Sequence, residues 1–256
     1  MKHIEFGRGE KAFVIIPGLS IHSIVAYAKE IEAAYEPFAD RYRIFVFDRS
    51  EELKKDCTIR DLAEDTAREI KELKLEKASV FGASQGGMMA QYLAIDHPEL
   101  VGRMVLGSSL SRQNEVFRAL CREWIRLAEE RNEKGLISSF VDHVYSERTL
   151  ESYRDVLIQS NLGITEEEYE RFLILGRACQ SFDCYEELSR IKCPVLVLGS
   201  KGDRVVTPEA SEEMAEALHC ELYLYDESYG HGVYDEAADY KQRMLNFFEA
   251  CEWNAK

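Results

Sequence analysis

Short, nearly continuous apolar runs alternate along this chain with longer amphipathic stretches, and that alternation limits its folding options more than any other feature. The runs at 12–16, 44–47, 78–81, 104–106, 195–198 and 222–225 read as strands, because a strand covered on both faces needs no polar alternation. Between them, apolar residues recur at helical spacing. Ile59, Leu62, Ala63, Thr66, Ile70 and Leu73 share one face, behind Thr58 and Asp61 as N-cap and supporting acid. Further helices are expected over 85–97, stopped by Pro98, and over 236–250, with Met244, Phe247 and Phe248 on one side. Strands separated by crossover helices predict an α/β fold with a mostly parallel central sheet flanked by helices.

The alternation breaks between 111 and 183, where only helical periods occur. Phe117, Leu120, Trp124 and Leu127 form one stripe, Gly135 reads as a C-cap, and Ser138 and Thr165 read as N-caps, the latter with Glu168 in capping-box position. Because the strand pattern resumes at Pro194, residues 1–110 and 184–256 are expected to form one core domain and 111–183 a helical insertion.

Composition excludes several roles. A net charge of -15 argues against nucleic acid as a partner, since that binding rests on Lys and Arg neutralising phosphates. Seven cysteines, an odd number without a Cys-x-x-Cys pair, suit reduced thiols and a cytoplasmic setting. No run approaches the roughly 20 apolar residues of a membrane span, and no signal peptide opens the chain. The six histidines lack metal-ligand spacing, so neither a metal nor another cofactor is expected.

The chemistry concentrates at strand ends. Gly82-Ala83-Ser84-Gln85-Gly86 follows the run 78–81 and precedes a helix, the setting in which a Gly-x-Ser-x-Gly turn lifts a serine above the sheet while glycines admit the crossing backbone. A serine needs a base and an orienting acid. Asp203 follows the strand at 195–198, and His231, between Gly230 and Gly232, follows the strand at 222–225. Ser84, Asp203 and His231 stand in the chain order of such a catalytic triad; a surface-loop aspartate and a surface histidine are the plainer alternatives. Two backbone N–H groups are needed for a developing oxyanion. Gln85, after the serine, is one candidate, and Leu19, after Pro17-Gly18, is the other, Pro17 having no N–H to give. Gly18, Ser20, His22 and His143 are candidate pocket residues, although His22 could equally cap or solvate the next helix. The charged stretch 49–56 reads as a solvated loop, a substrate-binding role being the alternative.

On the Gly82–Gly86 elbow, and on the segment Asp183 to Gly199 followed by Asp203 and Pro208, the chain resembles the α/β-hydrolase superfamily. The likeness is to its capped branch of esterases, enol-lactonases, proline iminopeptidases and carbon-carbon bond hydrolases, and it runs nearly the whole length. The resemblance implies a helical cap at 111–183 over the active site. It also implies cofactor-independent hydrolysis of a small carboxylic ester or related acyl compound, a small-molecule substrate, through an acyl-serine intermediate. Lactone, carbon-carbon or amide cleavage by the same triad, or ligand binding with little turnover, remain alternatives. One departure stands out: many members carry His-Gly where this chain has Pro17-Gly18.

Overall fold

A computed structural model describes residues 1–50 and 52–250. Its frame is a seven-stranded sheet of spatial order β1-β3-β2-β4-β5-β6-β7. The strands are β1 (His3–Phe6), β2 (Lys11–Ile16), β3 (Tyr42–Phe47), β4 (Ala78–Ala83), β5 (Val101–Gly107), β6 (Val195–Ser200) and β7 (Glu221–Tyr225). Every pairing is parallel except that of β1 with β3. The six apolar runs thus lie in six of the seven strands. β1, four residues long with Ile4 as its one buried side chain, was not anticipated because one inward residue makes no readable pattern.

Helices cover both faces. On one lie α2 (Ile59–Glu72), α3 (Gln85–Asp96) and α8 (Pro208–Leu218); on the other lie α1 (Ala28–Ala34) and α10 (Tyr240–Glu249). α2 opens on the expected capping box of Thr58 and Asp61. The expected helix over 236–250 is two pieces, α9 (Val233–Glu236) and α10, parted where Ala237 turns extended. Among the described residues no helix is long and apolar enough to cross a membrane.

Between β5 and β6 come four helices and no strand: α4 (Glu115–Glu129), α5 (Glu133–Val144), α6 (Glu147–Ser160) and α7 (Glu166–Gln180). The stripe Phe117, Leu120, Trp124 and Leu127 is buried, and the Thr165–Glu168 capping box opens α7. Two expectations fail here. Gly135 does not end a helix and Ser138 does not begin one. Instead Asn132 caps α5 by accepting from the Gly135 N–H at 3.0 Å, and the left-handed turn after α4 falls to Arg131 (φ 54°), whose side chain is held by Ala128 O and by Glu166 and Glu170. A non-glycine in that conformation leaves no mark in sequence.

Candidate active site

The chain runs from β2 to one side of the sheet to make β3, then returns across β2 to make β4. Loops after β2 and β4 therefore diverge at a topological switch point, where open α/β sheets leave a crevice at the carboxyl ends of their strands. Pro17-Gly18-Leu19 and Ser84 occupy those two loops.

Ser84 stands between β4 and α3 with φ 50° and ψ -117°, a region that non-glycine residues adopt at a cost of about 1–3 kcal/mol. What forces it is the closeness of strand and helix. A Cβ on Gly86 would lie 1.9 Å from Ile16 O, and one on Gly82 would lie 2.5 Å from Gly86 O. Only glycine fits at either position. The Ser84 carbonyl is anchored by Ser109 Oγ at 2.8 Å, and its N–H donates to Gly107 O at 2.9 Å.

Asp203 and His231, in the loops after β6 and β7, meet at the same edge of the sheet. His231 Nδ1 lies 2.9 Å from Asp203 Oδ2, while Asp203 Oδ1 accepts from the N–H groups of Val205 (2.8 Å) and Val206 (3.0 Å). Both residues are buried, at 2% and 5% exposure. Burial pushes the Asp203 carboxyl up, but His231 and the two backbone donors outweigh it and hold the group below the usual carboxylate range. An ionised Asp203 accepts only, so Nδ1 carries the hydrogen and Nε2 is left as the basic nitrogen.

Ser84 and His231 line one cavity of about 40 Å³, with Gly18, Leu19 and Gln85. Among the described residues no hydrogen bond joins Ser84 to His231, and neither the Leu19 nor the Gln85 backbone N–H has a protein acceptor. Such a pair of open donors, one at the first turn of α3, is available to a substrate oxygen. The remaining wall is apolar and aromatic: Phe117, Trp124, Phe140 and Val144 from α4 and α5, with Val205 and Tyr234. The stripe on α4 announced Phe117 and Trp124 as packing residues; their second role as a cavity wall depends on how α4 docks, which periodicity does not encode.

Three candidate pocket residues lie elsewhere. Ser20 donates to His22 O at 2.8 Å, and His143 Nδ1 pairs with Ser139 O at 2.7 Å. His22 links the core to the helical segment, with Nδ1 at 2.7 Å from Glu168 Oε1 and Nε2 at 2.9 Å from Asn161 O. None of the three lines the cavity. Cys179 does, as a buried thiol that accepts from Gln85 Nε2 at 3.0 Å, and burial pushes it up to about 11. The six described cysteines are free; Cys251 and Glu51 lie outside the described residues.

The expectation of a solvated loop fails at the start of the stretch 49–56. Arg49 is buried at 4% exposure, because its guanidinium finds acceptors inside, on Pro17, Gly18 and Gln85. Residues 54–56 are exposed, as expected.

Comparison with known proteins adds three findings. Residues 11–238 match the model of a family described as alpha/beta hydrolase fold. In sequence the chain is 27% identical over 227 residues to BpoC of Mycobacterium tuberculosis, a protein bearing the name of a non-heme bromoperoxidase, covering 82% of this chain and 84% of BpoC. In structure it resembles an alpha/beta hydrolase enzyme from a Medee basin deep-sea metagenome library, with a TM-score of 0.88 at 19% identity over 100% of this chain and 96% of that one. It also resembles the enol-lactonase of Burkholderia xenovorans, with a TM-score of 0.81 at 20% identity over 96% and 95% of the two chains.

Proposed function

Because the chain belongs to the alpha/beta hydrolase fold family, we propose that it hydrolyses a small, neutral carboxylic ester through an acyl-serine intermediate. The observation that carries this reading is the convergence of a strained serine and a buried Asp203–His231 pair on one cavity. In this mechanism His231 Nε2 takes the Ser84 proton as Oγ attacks the ester carbonyl. The oxyanion so formed accepts from the N–H groups of Leu19 and Gln85, then collapses and expels the alkoxide, which leaves as the alcohol with the proton from His231. Water, deprotonated by the same nitrogen, attacks the acyl-serine; the carboxylic acid departs and Ser84 regains its hydrogen. Asp203 remains a carboxylate that fixes the imidazole tautomer. The helices α4 to α7 serve as the cap that walls the acyl pocket.

The wall favours a neutral acyl group over the alternatives that carry charge. Apart from His231, no Lys, Arg, Asp, Glu or other His among the described residues lines the cavity, so a substrate ammonium or a second carboxylate would lose its hydration with no charged partner there in exchange. That weighs against an aminopeptidase and for a short, uncharged ester.

A fluorophosphonate probe tests the nucleophile. Ser84 is expected to be labelled, with labelling abolished and ester turnover cut at least about 10³-fold in Ser84→Ala. On p-nitrophenyl esters, acetate and butyrate should outpace octanoate, and the neutral esters should outpace an acyl group bearing a terminal carboxylate. A folded protein whose Ser84 stays unlabelled overturns the assignment.

A further inference from the structure

We propose that Arg49 is a positioning residue for the oxyanion hole, locking both N–H donors from behind through a single guanidinium. This inference rests on the serine-hydrolase reading above. Arg49 Nη2 donates to Pro17 O at 2.6 Å and reaches Gly18 O at 3.4 Å. Nη2 and Nε also donate to Gln85 Oε1, at 3.1 and 3.3 Å. One planar fork thus binds the backbone that presents Leu19 and the side chain of the residue that follows Ser84.

Peptide geometry converts these bonds into an orientation. In a planar trans peptide the C=O and the next N–H point in opposite directions. A guanidinium that draws the Pro17 and Gly18 carbonyls to its own side therefore turns the N–H groups of Gly18 and Leu19 away from itself. Gly18 itself lies close to Ser84: a Cβ on Gly18 would fall 3.2 Å from Ser84 Cβ. Gln85 is fixed at its other end as well, since Nε2 donates to Leu175 O on α7 at 2.9 Å.

Packing alone does not account for Arg49, since an apolar side chain could fill the same volume without burying a charge. Its three side-chain acceptors are all neutral. The neighbouring Asp48 carboxylate is occupied by Arg171, Ser23 and the Arg49 backbone N–H. Burial first, and Arg171 second, pull the guanidinium down to about 10, so it is still a cation at neutral pH. A buried cation whose side chain hydrogen-bonds only to carbonyl and amide oxygens is costly compared with an apolar side chain of similar volume, even with the Asp48 carboxylate nearby offsetting part of that cost. It also places a fixed positive charge against the loop that carries Gly18 and Leu19 and against the Gln85 side chain. Neither Pro17 nor Gly18 has a polar side chain to tie the loop; Arg49 supplies the tie from just after β3.

The test compares Arg49→Lys and Arg49→Met with the native protein in three measurements: melting temperature, kcat and KM on p-nitrophenyl acetate, and affinity for a trifluoromethyl ketone, whose serine adduct carries the oxyanion. Lysine keeps the charge but cannot hold three acceptors as a planar fork does. For each variant that folds, the expected result is a kcat about 10-fold lower for Arg49→Lys and about 10²-fold lower for Arg49→Met, the scale of a displaced catalytic geometry. KM should stay within about threefold, and ketone affinity should fall in step with kcat/KM. If either folded variant keeps native kcat and ketone affinity, the brace is overturned while the nucleophile assignment survives. If native Ser84 reacts with neither the ketone nor fluorophosphonate, the hydrolase reading falls first and takes the brace with it.

Discussion

Ser84 sits in a backbone conformation that costs energy, pressed between Gly82, Gly86 and the end of β2, whereas Asp203 and His231 sit in ordinary backbone, bonded to each other and, at Asp203, to two backbone N–H groups. The first half of the site is set by close approach of main chains. The second is set by clamps. The Gly232 N–H donates to Val144 O at 2.7 Å, and the Glu236 carboxylate accepts from the Gly230 N–H (2.8 Å), the Ser146 N–H (2.8 Å) and Ser146 Oγ (2.7 Å). Arg204 adds bonds to Asp142 O and Tyr145 O. The loops of Asp203 and His231 are therefore fastened to the junction of α5 and α6, while the elbow is fastened to the sheet. Position is enforced by sterics at Ser84 and by hydrogen bonds at His231.

The contrast is most sharply tested at the acid. Asp203→Asn keeps the shape but removes the acceptor that selects the tautomer, and kcat is expected to fall about 10⁴-fold. Its pH signature follows from the direction of the shift. A carboxyl held below its unfolded value stabilises the fold fully above about pH 4, and that contribution disappears as pH falls through the lower folded value. The gap in melting temperature between native protein and Asp203→Asn should be widest above about pH 4 and close on acidification. A gap that grows in acid would contradict it.

Removing a clamp should do less. Glu236→Ala strands the Gly230 and Ser146 N–H groups, for a stability loss of about 2 kcal/mol and a drop of about 10-fold in kcat as the His231 loop loosens. Thermal melts and steady-state rates check both, and unchanged kcat would mean that the loop is aimed by Gly232 and Val144 alone. The smallest effect is expected at the elbow. Ser84→Gly, though inactive, should unfold later than the native protein by about 1 kcal/mol, because glycine tolerates the left-handed region. A lower melting point would show that no strain is held there.

The same division explains what could be read from the sequence. Steric placement leaves small residues at fixed spacing, so Gly82, Ser84 and Gly86 announced the turn, and strand ends announced Asp203 and His231. The candidate pocket residues were another matter. Ser20, His22 and His143 were near in sequence or plausible in chemistry, yet their side chains are engaged with neighbours outside the cavity. The wall is made by Phe117, Trp124, Phe140 and Val144 instead, whose facing depends on the docking of α4 and α5. Arg49 was hidden for a related reason: a charged residue in a charged stretch reads as solvated, and only the third dimension supplies its acceptors. The division into core and helical segment was visible because the strand period stops and resumes, but Arg131 in place of glycine at the end of α4 was not.

A cavity of about 40 Å³ holds two or three waters, far less than an aryl ester. Both flanks of its roof are tied down, by Val144 and Ser146 on one side and by the ion pair of Arg171 with Asp48 on the other. If an ester binds there, α4 and α5 must first shift to make room, and association is then expected to run below the rate of diffusional encounter. Tight inhibitors of such a site would show slow onset, their potency growing with minutes of preincubation.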